Sequence, residues 1–256
     1  MPVTRRDTLQ LGLVGLAGLG ATTFVPFRAR AAGDADSYKT DSGAIGISPL
    51  SHASFVMTTP GLTIYNDPVG GKELYDGQPA ADLILITHEH GDHYDADTLA
   101  ALAGPDTKLV VNPAVMAMLS DDLKARATEL ANGGTTTVGD IAIEAVPAYN
   151  TTEDRLKYHP KGRDNGYVLT IDGRRVYIAG DTEDIPEMRA LKDIYIAFVP
   201  MNLPFTMDTD QAASAVSEFK PAYAYPYHYK GSDPQAFAAK VSDGTEVVMG
   251  PWYPEA

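Results

Sequence analysis

The segment ITHEHGDHYD, residues 86–95, places His88, His90, Asp92 and His93 within six positions, which is half of the chain's six histidines. The chain has no cysteine, so a metal ion here would be held by imidazole, carboxylate, amide or water. In an extended backbone residues two apart project to the same side, so His88 and His90 can share one ion. Gly91 permits a sharp turn that would send Asp92 and His93 toward a second ion. The order H-x-H-x-D-H differs from the H-E-x-x-H of zinc proteases, because Asp92 stands where the second histidine of that motif belongs. Two neighbouring divalent ions acidify a shared water, so the chemistry expected is hydrolysis by a metal-activated hydroxide. Asp92 would orient that hydroxide and exchange its proton.

The elements around the motif suggest how it is held. Residues 82–87, DLILIT, form a continuous apolar run of strand length, as expected for a strand buried on both faces, and the motif follows it directly. A helix is expected at 96–104, with Asp95 or Asp97 as its cap. Before the motif, strands are expected at 44–48, 53–59 and 62–66 as an antiparallel meander. After it come a strand at 108–112 and a helix over 113–131, broken at Ser120. The second half repeats this logic. It has strands at 135–138, 141–148, 166–171, 175–180, 195–200, 222–228 and 245–250, and helices at 185–191, 210–219 and 234–241. Two similar β-rich halves with helices predict an α+β fold of two sheets packed face to face, with helices outside.

The first residues read differently. Arg5 and Arg6 precede an apolar, glycine-rich run too short for a membrane span, and Ala29-Arg30-Ala31 is a small-x-small cleavage site. This resembles a twin-arginine export signal over 1–31, with a single domain at 32–256 and a periplasmic or secreted location in a bacterium. No stable membrane span is expected after cleavage. The formal net charge of −14 argues against nucleic acid or an anionic membrane surface and leaves a small-molecule substrate as the partner. Oligomeric state is left open.

The motif resembles that of the metallo-β-lactamase superfamily, in which H-x-H-x-D-H after a core strand supplies ligands to two divalent ions. SHASFVMTTPGLTIYNDP is similar to the opening strands of its branch that includes L-ascorbate 6-phosphate lactonase. The resemblance implies a four-layer αββα sandwich. It also implies that Asp181 in IAGDT bridges the metals and that His228 in YPYHYK completes the second site. Zinc is the first expectation for both ions. The resemblance further implies an ester, lactone or phosphodiester as substrate, with a β-lactam less favoured. A non-catalytic metal-binding or sensing domain with a degenerate first site is the alternative from another class.

One ligand departs from the pattern. Where the family usually has a histidine in a P-x-x-H phrase, this chain has PAYN, ending in Asn150. An amide oxygen suits harder ions than zinc, which brings manganese into consideration. Asn150, His52 or His159 could complete the first site; otherwise a single ion would sit at Asp92, His93, Asp181 and His228. We favour two ions. Asp67 is expected to orient a ligand histidine through its free N–H without touching metal. Lys161, two residues after His159, could meet a substrate carboxylate or phosphate as a point charge. Of the alternating tyrosines at 223, 225, 227 and 229, only Tyr229 is expected near the site.

Overall fold

A computed structural model describes residues 35–253. The expected export signal lies outside the described residues. Among the described residues, fourteen strands form two seven-stranded sheets. The first contains β1 (Asp36–Lys39), β2 (Ala44–Ser51), β3 (Ser54–Thr58), β4 (Thr63–Asn66), β5 (Leu83–Ile86), β6 (Lys108–Val111) and β7 (Ala127–Glu129), side by side in chain order. The second contains β8 (Thr135–Val138), β9 (Ile141–Ala148), β10 (Asp164–Ile171), β11 (Arg174–Ile178), β12 (Ile194–Pro200), β13 (Tyr223–Tyr227) and β14 (Glu246–Val247), also in chain order. Each sheet begins as an antiparallel meander of four strands and continues in parallel through the last four. The two halves therefore share one topology.

Strand periodicity explains the layering. Successive side chains point to opposite faces. On β5, Leu83 and Leu85 enter the core between the sheets, while Ile84 and Ile86 enter a second core on the outer face. That outer core is covered by α1 (Ala96–Leu102), α2 (Pro113–Met118) and α3 (Asp121–Lys124), through residues such as Leu99, Val115 and Leu123. On β12, Ile196 and Phe198 face the inter-sheet core, and Ala197 and Val199 face α4 (Pro186–Arg189), α5 (Thr209–Phe219) and α6 (Pro234–Ala238). The result is helices, sheet, sheet, helices, the αββα order expected. Each fully buried leucine or isoleucine of β5 contributes about 1.5–3 kcal/mol relative to exposure. Leu85→Asp would break this face by placing an unpaired charge between the sheets.

Two local expectations need correction, and one strand was not anticipated. The helix expected over 113–131 ends with α3 at Lys124, and Ala127–Glu129 is instead the edge strand β7, paired in parallel with β6. Ser120 starts α3 by accepting from the Leu123 N–H, and ladder bonds to β6 then override the helical propensity of the residues that follow. The short strand β1 gave no pattern in the sequence, because four residues at a sheet edge carry little periodicity. The strand expected at 245–250 is only Glu246–Val247, yet the chain beyond it matters. Trp252 is fully buried between the sheets against Phe55, Phe198 and Tyr227.

Candidate metal centre

The site lies where the ends of both sheets meet. β5 ends at Ile86, and Thr87 and His88 continue it into the interior. The chain then turns, with the His93 and Tyr94 N–H groups both donating to the His90 carbonyl. Gly91 does not take a left-handed conformation in this turn, so the glycine freedom expected there is not what shapes it. Asp95 caps α1 by accepting from the Asp97 and Thr98 N–H groups, which anchors the far end of the motif.

All six histidines of the chain converge here, in two groups. His88, His90 and His159 each present a ring nitrogen within 4.8 Å of the others. His93, His228, His52 and Asp92 form a second group on the same criterion. Asp181 stands between them. Its Oδ2 is 3.4 Å from His159 Nε2, 3.9 Å from His88 Nε2 and 3.2 Å from His228 Nε2, and its Oδ1 is 3.3 Å from His93 Nε2. Gly180 makes this placement possible. At φ 64° it adopts a conformation that side chains resist, and a Cβ there would lie 2.6 Å from the Asn165 carbonyl oxygen.

The buried donors fit a metal centre by their lack of other partners. His88 Nε2, His93 Nε2, His159 Nε2, His228 Nε2 and Asp181 Oδ1 are buried and make no hydrogen bond among the described residues. Such atoms carry a full desolvation penalty unless a ligand satisfies them, and four imidazole nitrogens with a carboxylate suit a divalent cation.

The opposite ring nitrogens of His88, His93 and His159 are held by neighbouring side chains. Asp67 Oδ2 lies 2.8 Å from His93 Nδ1 and accepts from the Thr87 hydroxyl, while Asp67 Oδ1 accepts from the Thr87 N–H. Thr87 Oγ1 also lies 3.0 Å from His88 Nδ1. Asp67 thus lies against the His93 ring nitrogen opposite the one that faces Asp181. For His159 the corresponding partner is Asp164, with Oδ2 2.9 Å from Nδ1, and Arg163 braces Asp164 and reaches Glu89. Neither Thr87 nor Asp164 stood out in the sequence. His52 Nδ1 is 2.6 Å from the Tyr253 hydroxyl, and His52 Nε2 is 3.1 Å from Asp92 Oδ2. His52, Asp67 and His228 all adopt left-handed backbone conformations, strain of order 1 kcal/mol each that surrounding contacts must sustain. The Trp252 carbonyl accepts from the His52 N–H and the His52 carbonyl accepts from the His228 N–H, which supplies that support.

Charge follows the same division. Burial lowers His88 well below its ordinary value, aided by the neighbouring His93. Burial also opposes charge on His93 and His228, but Asp181 outweighs it, raising His93 well above its usual range and His228 to about 9. Asp181 and Asp92 are correspondingly held well below the usual carboxylate range despite burial, Asp181 by His228 and His93, Asp92 by the neighbouring His228 and His52. Asp92 remains half exposed at the mouth of a cavity of about 710 Å³.

The three candidates for the missing first-group donor separate. His159 joins His88 and His90. His52 lies with the second group, where the His228 ring is tilted against it at 3.8 Å between ring centroids, and it is not grouped with His88 and His90. Asn150 serves the loop: its backbone N–H donates to the His159 carbonyl, and its amide nitrogen donates to the carbonyls of Arg155 and Phe205. Glu183 secures the same loop by accepting from the N–H groups of Thr151 and Thr152 and from Arg155; these bonds overcome burial and hold its carboxyl at about 2. Lys161, expected to meet substrate, is exposed and directed to the Tyr149 hydroxyl and Glu187, away from the cavity. Tyr229 packs against Tyr253, and it is Tyr253 that lines the cavity. Nothing in the local pattern of the last residues signals this.

Comparison with known proteins agrees with the geometry. Residues 46–228 match the family described as beta-lactamase superfamily domain. The chain belongs to the metallo-β-lactamase superfamily. Within the superfamily it is 32% identical over 217 residues to a UPF0173 metal-dependent hydrolase of Pyrococcus abyssi, covering 78% of this chain and 93% of that one. A crystal structure of a metal-dependent hydrolase from Parabacteroides distasonis is 46% identical, with a TM-score of 0.78, covering 85% of this chain and 98% of that one. The metallo hydrolase Igni18 of Ignicoccus hospitalis is 26% identical, with a TM-score of 0.66 and 81% and 95% coverage. This chain is accordingly a superfamily metal-dependent hydrolase with a His and Asp cluster able to bind metal.

Proposed function

We propose that the chain is a two-metal hydrolase of esters, lactones or phosphodiesters. The observation that carries this reading is Asp181, whose carboxylate touches both histidine groups at the base of an open cavity. His88, His90 and His159 would hold the first ion, and Asp92, His93 and His228 the second, with Asp181 between them and His52 beside the second. Three imidazoles in the first group favour zinc, and the reason for manganese, an amide donor at position 150, weakens once His159 is present. Two divalent ions supply acidification of water and stabilisation of developing negative charge.

The chain's own side chains supply the rest. Asp92, ionised and half exposed, with Oδ2 3.1 Å from His52 Nε2, orients the attacking water. His52, hydrogen bonded to that oxygen and braced by Tyr253, holds the carboxylate in place. The paired arginines and the cleavage site of residues 1–31 support export and action in the periplasm or outside the cell. Elemental analysis of protein isolated from its own compartment should give two metal ions per chain. Turnover of a lactone, ester or phosphodiester panel should stop on chelation and return with zinc. One ion or none, together with no turnover, would sink the reading; a preference for cephalosporins would move it to a β-lactamase.

A further inference from the structure

The cavity wall can be followed through a chain of contacts. Tyr158, next to His159, meets Phe205 edge to face at 4.9 Å between ring centroids. Phe205 donates its N–H to the Asn202 carbonyl, and the Asn202 amide, with oxygen and nitrogen assigned by their neighbours, donates to the Lys230 carbonyl at 3.0 Å. The Lys230 N–H donates to the Tyr253 hydroxyl, which brings the wall back to His52. Phe205 is 41% exposed, and Leu203 and Leu156 are similarly exposed on the two flanking loops. Lys230 is exposed, and its ammonium has no ion pair or hydrogen bond among the described residues, unlike that of Lys161. Both ends of its peptide unit are pinned by residues that line the cavity. Among the described residues, no other lysine or arginine lines the cavity.

Phe205 and Lys230 thus line one cavity, each tied through its backbone to Asn202. We propose that the substrate carries an apolar group, seated on Tyr158 and Phe205, and beside it a carboxylate or comparable anion paired with Lys230. The proposal rests on the hydrolase reading and names its substrate class: a small amphiphilic anion with a hydrolysable ester or lactone. Lys230 is then a specificity-determining residue, and Phe205 an apolar contact.

The test uses the zinc-loaded chain and two matched esters, the 4-nitrophenyl monoester of glutaric acid, which is anionic, and its methyl-capped neutral counterpart. The anionic ester should be preferred about tenfold in kcat/KM, the scale of one charge-assisted hydrogen bond. Lys230→Gln should bring the ratio toward one, Lys230→Arg should keep it, and Phe205→Ala should raise KM for both esters several-fold. In parallel, calorimetry compares 4-phenylbutyrate with 4-phenylbutyramide on the parent protein and Lys230→Gln. Any carboxylate affinity due to metal is common to both proteins, so a loss in the variant isolates Lys230. If Lys230→Gln keeps the parent's preference in both assays, the anion assignment is overturned; an unchanged KM in Phe205→Ala overturns the apolar one. If neither ester turns over, the hydrolase reading fails and calorimetry alone decides the substrate class.

Discussion

Asp67 and Asp181 occupy corresponding steps of the two half-chains, each just past the fourth strand of its sheet, where the antiparallel meander gives way to parallel strands. They approach one ring from opposite sides: Asp67 is 2.8 Å from His93 Nδ1 and Asp181 is 3.3 Å from His93 Nε2. Their surroundings nevertheless differ. β4 ends at Asn66 and Asp67 follows at once, so its oxygens are taken up by Thr87 and His93. β11 ends at Ile178, and Ala179 and Gly180 intervene, the glycine turning the chain so that Asp181 reaches both histidine groups. Two residues of extra reach separate a carboxylate that meets one histidine group from a carboxylate that meets both.

The comparison breaks most sharply at Asp181. Asp181→Ala should lose both ions and lower kcat/KM by about a thousandfold or more, as expected when a unit of interdependent groups loses its centre; an active variant retaining two ions would remove the bridge. Next in size is His159→Ala, which should retain one ion per chain by elemental analysis, with the second group intact. Two ions in that variant would mean that another donor completes the first group.

Asp67→Asn should act more gently, weakening zinc affinity about 10–100-fold without abolishing it, and Asp164→Asn should do the same at the first group. Competition with a chromophoric chelator resolves the two affinities; an Asp67→Asn effect as large as that of Asp181→Ala would erase the distinction between the halves. The smallest effect is expected for Asn150→Ala. It should keep two ions and lose about 1–3 kcal/mol of stability in urea unfolding, because it leaves the carbonyls of Arg155 and Phe205 without their buried donor. Loss of one ion in that variant would make Asn150 a ligand.

Much of the site was legible because its chemistry is local. His88, His90, Asp92 and His93 follow one buried strand, and the alternation that buries Leu85 also determines where the next residues emerge. Asp181 and His228 were reachable only through resemblance, since nothing in IAGDT or YPYHYK alone states which distant group they meet. The misplaced expectations have a common cause. Lys161 is near His159 in sequence, but the loop that brings His159 inward directs Lys161 outward to Tyr149 and Glu187. Lys230 and Tyr253 are far from the motif in sequence and reach the cavity through the end of β13 and the returning C-terminal segment.

The sequence by itself determined the two-sheet, helix-covered architecture and the metal-ligand character of the motif, because hydrophobic periodicity and donor chemistry are written in neighbouring residues. Tertiary structure alone decided that His159 and not His52 joins His88 and His90, and that Asn150 ties the loop carrying His159 to the Phe205 loop. These are questions of which chain segments meet in space. Packing across two sheets answers them, through contacts between residues up to about two hundred positions apart, such as His52 and Tyr253.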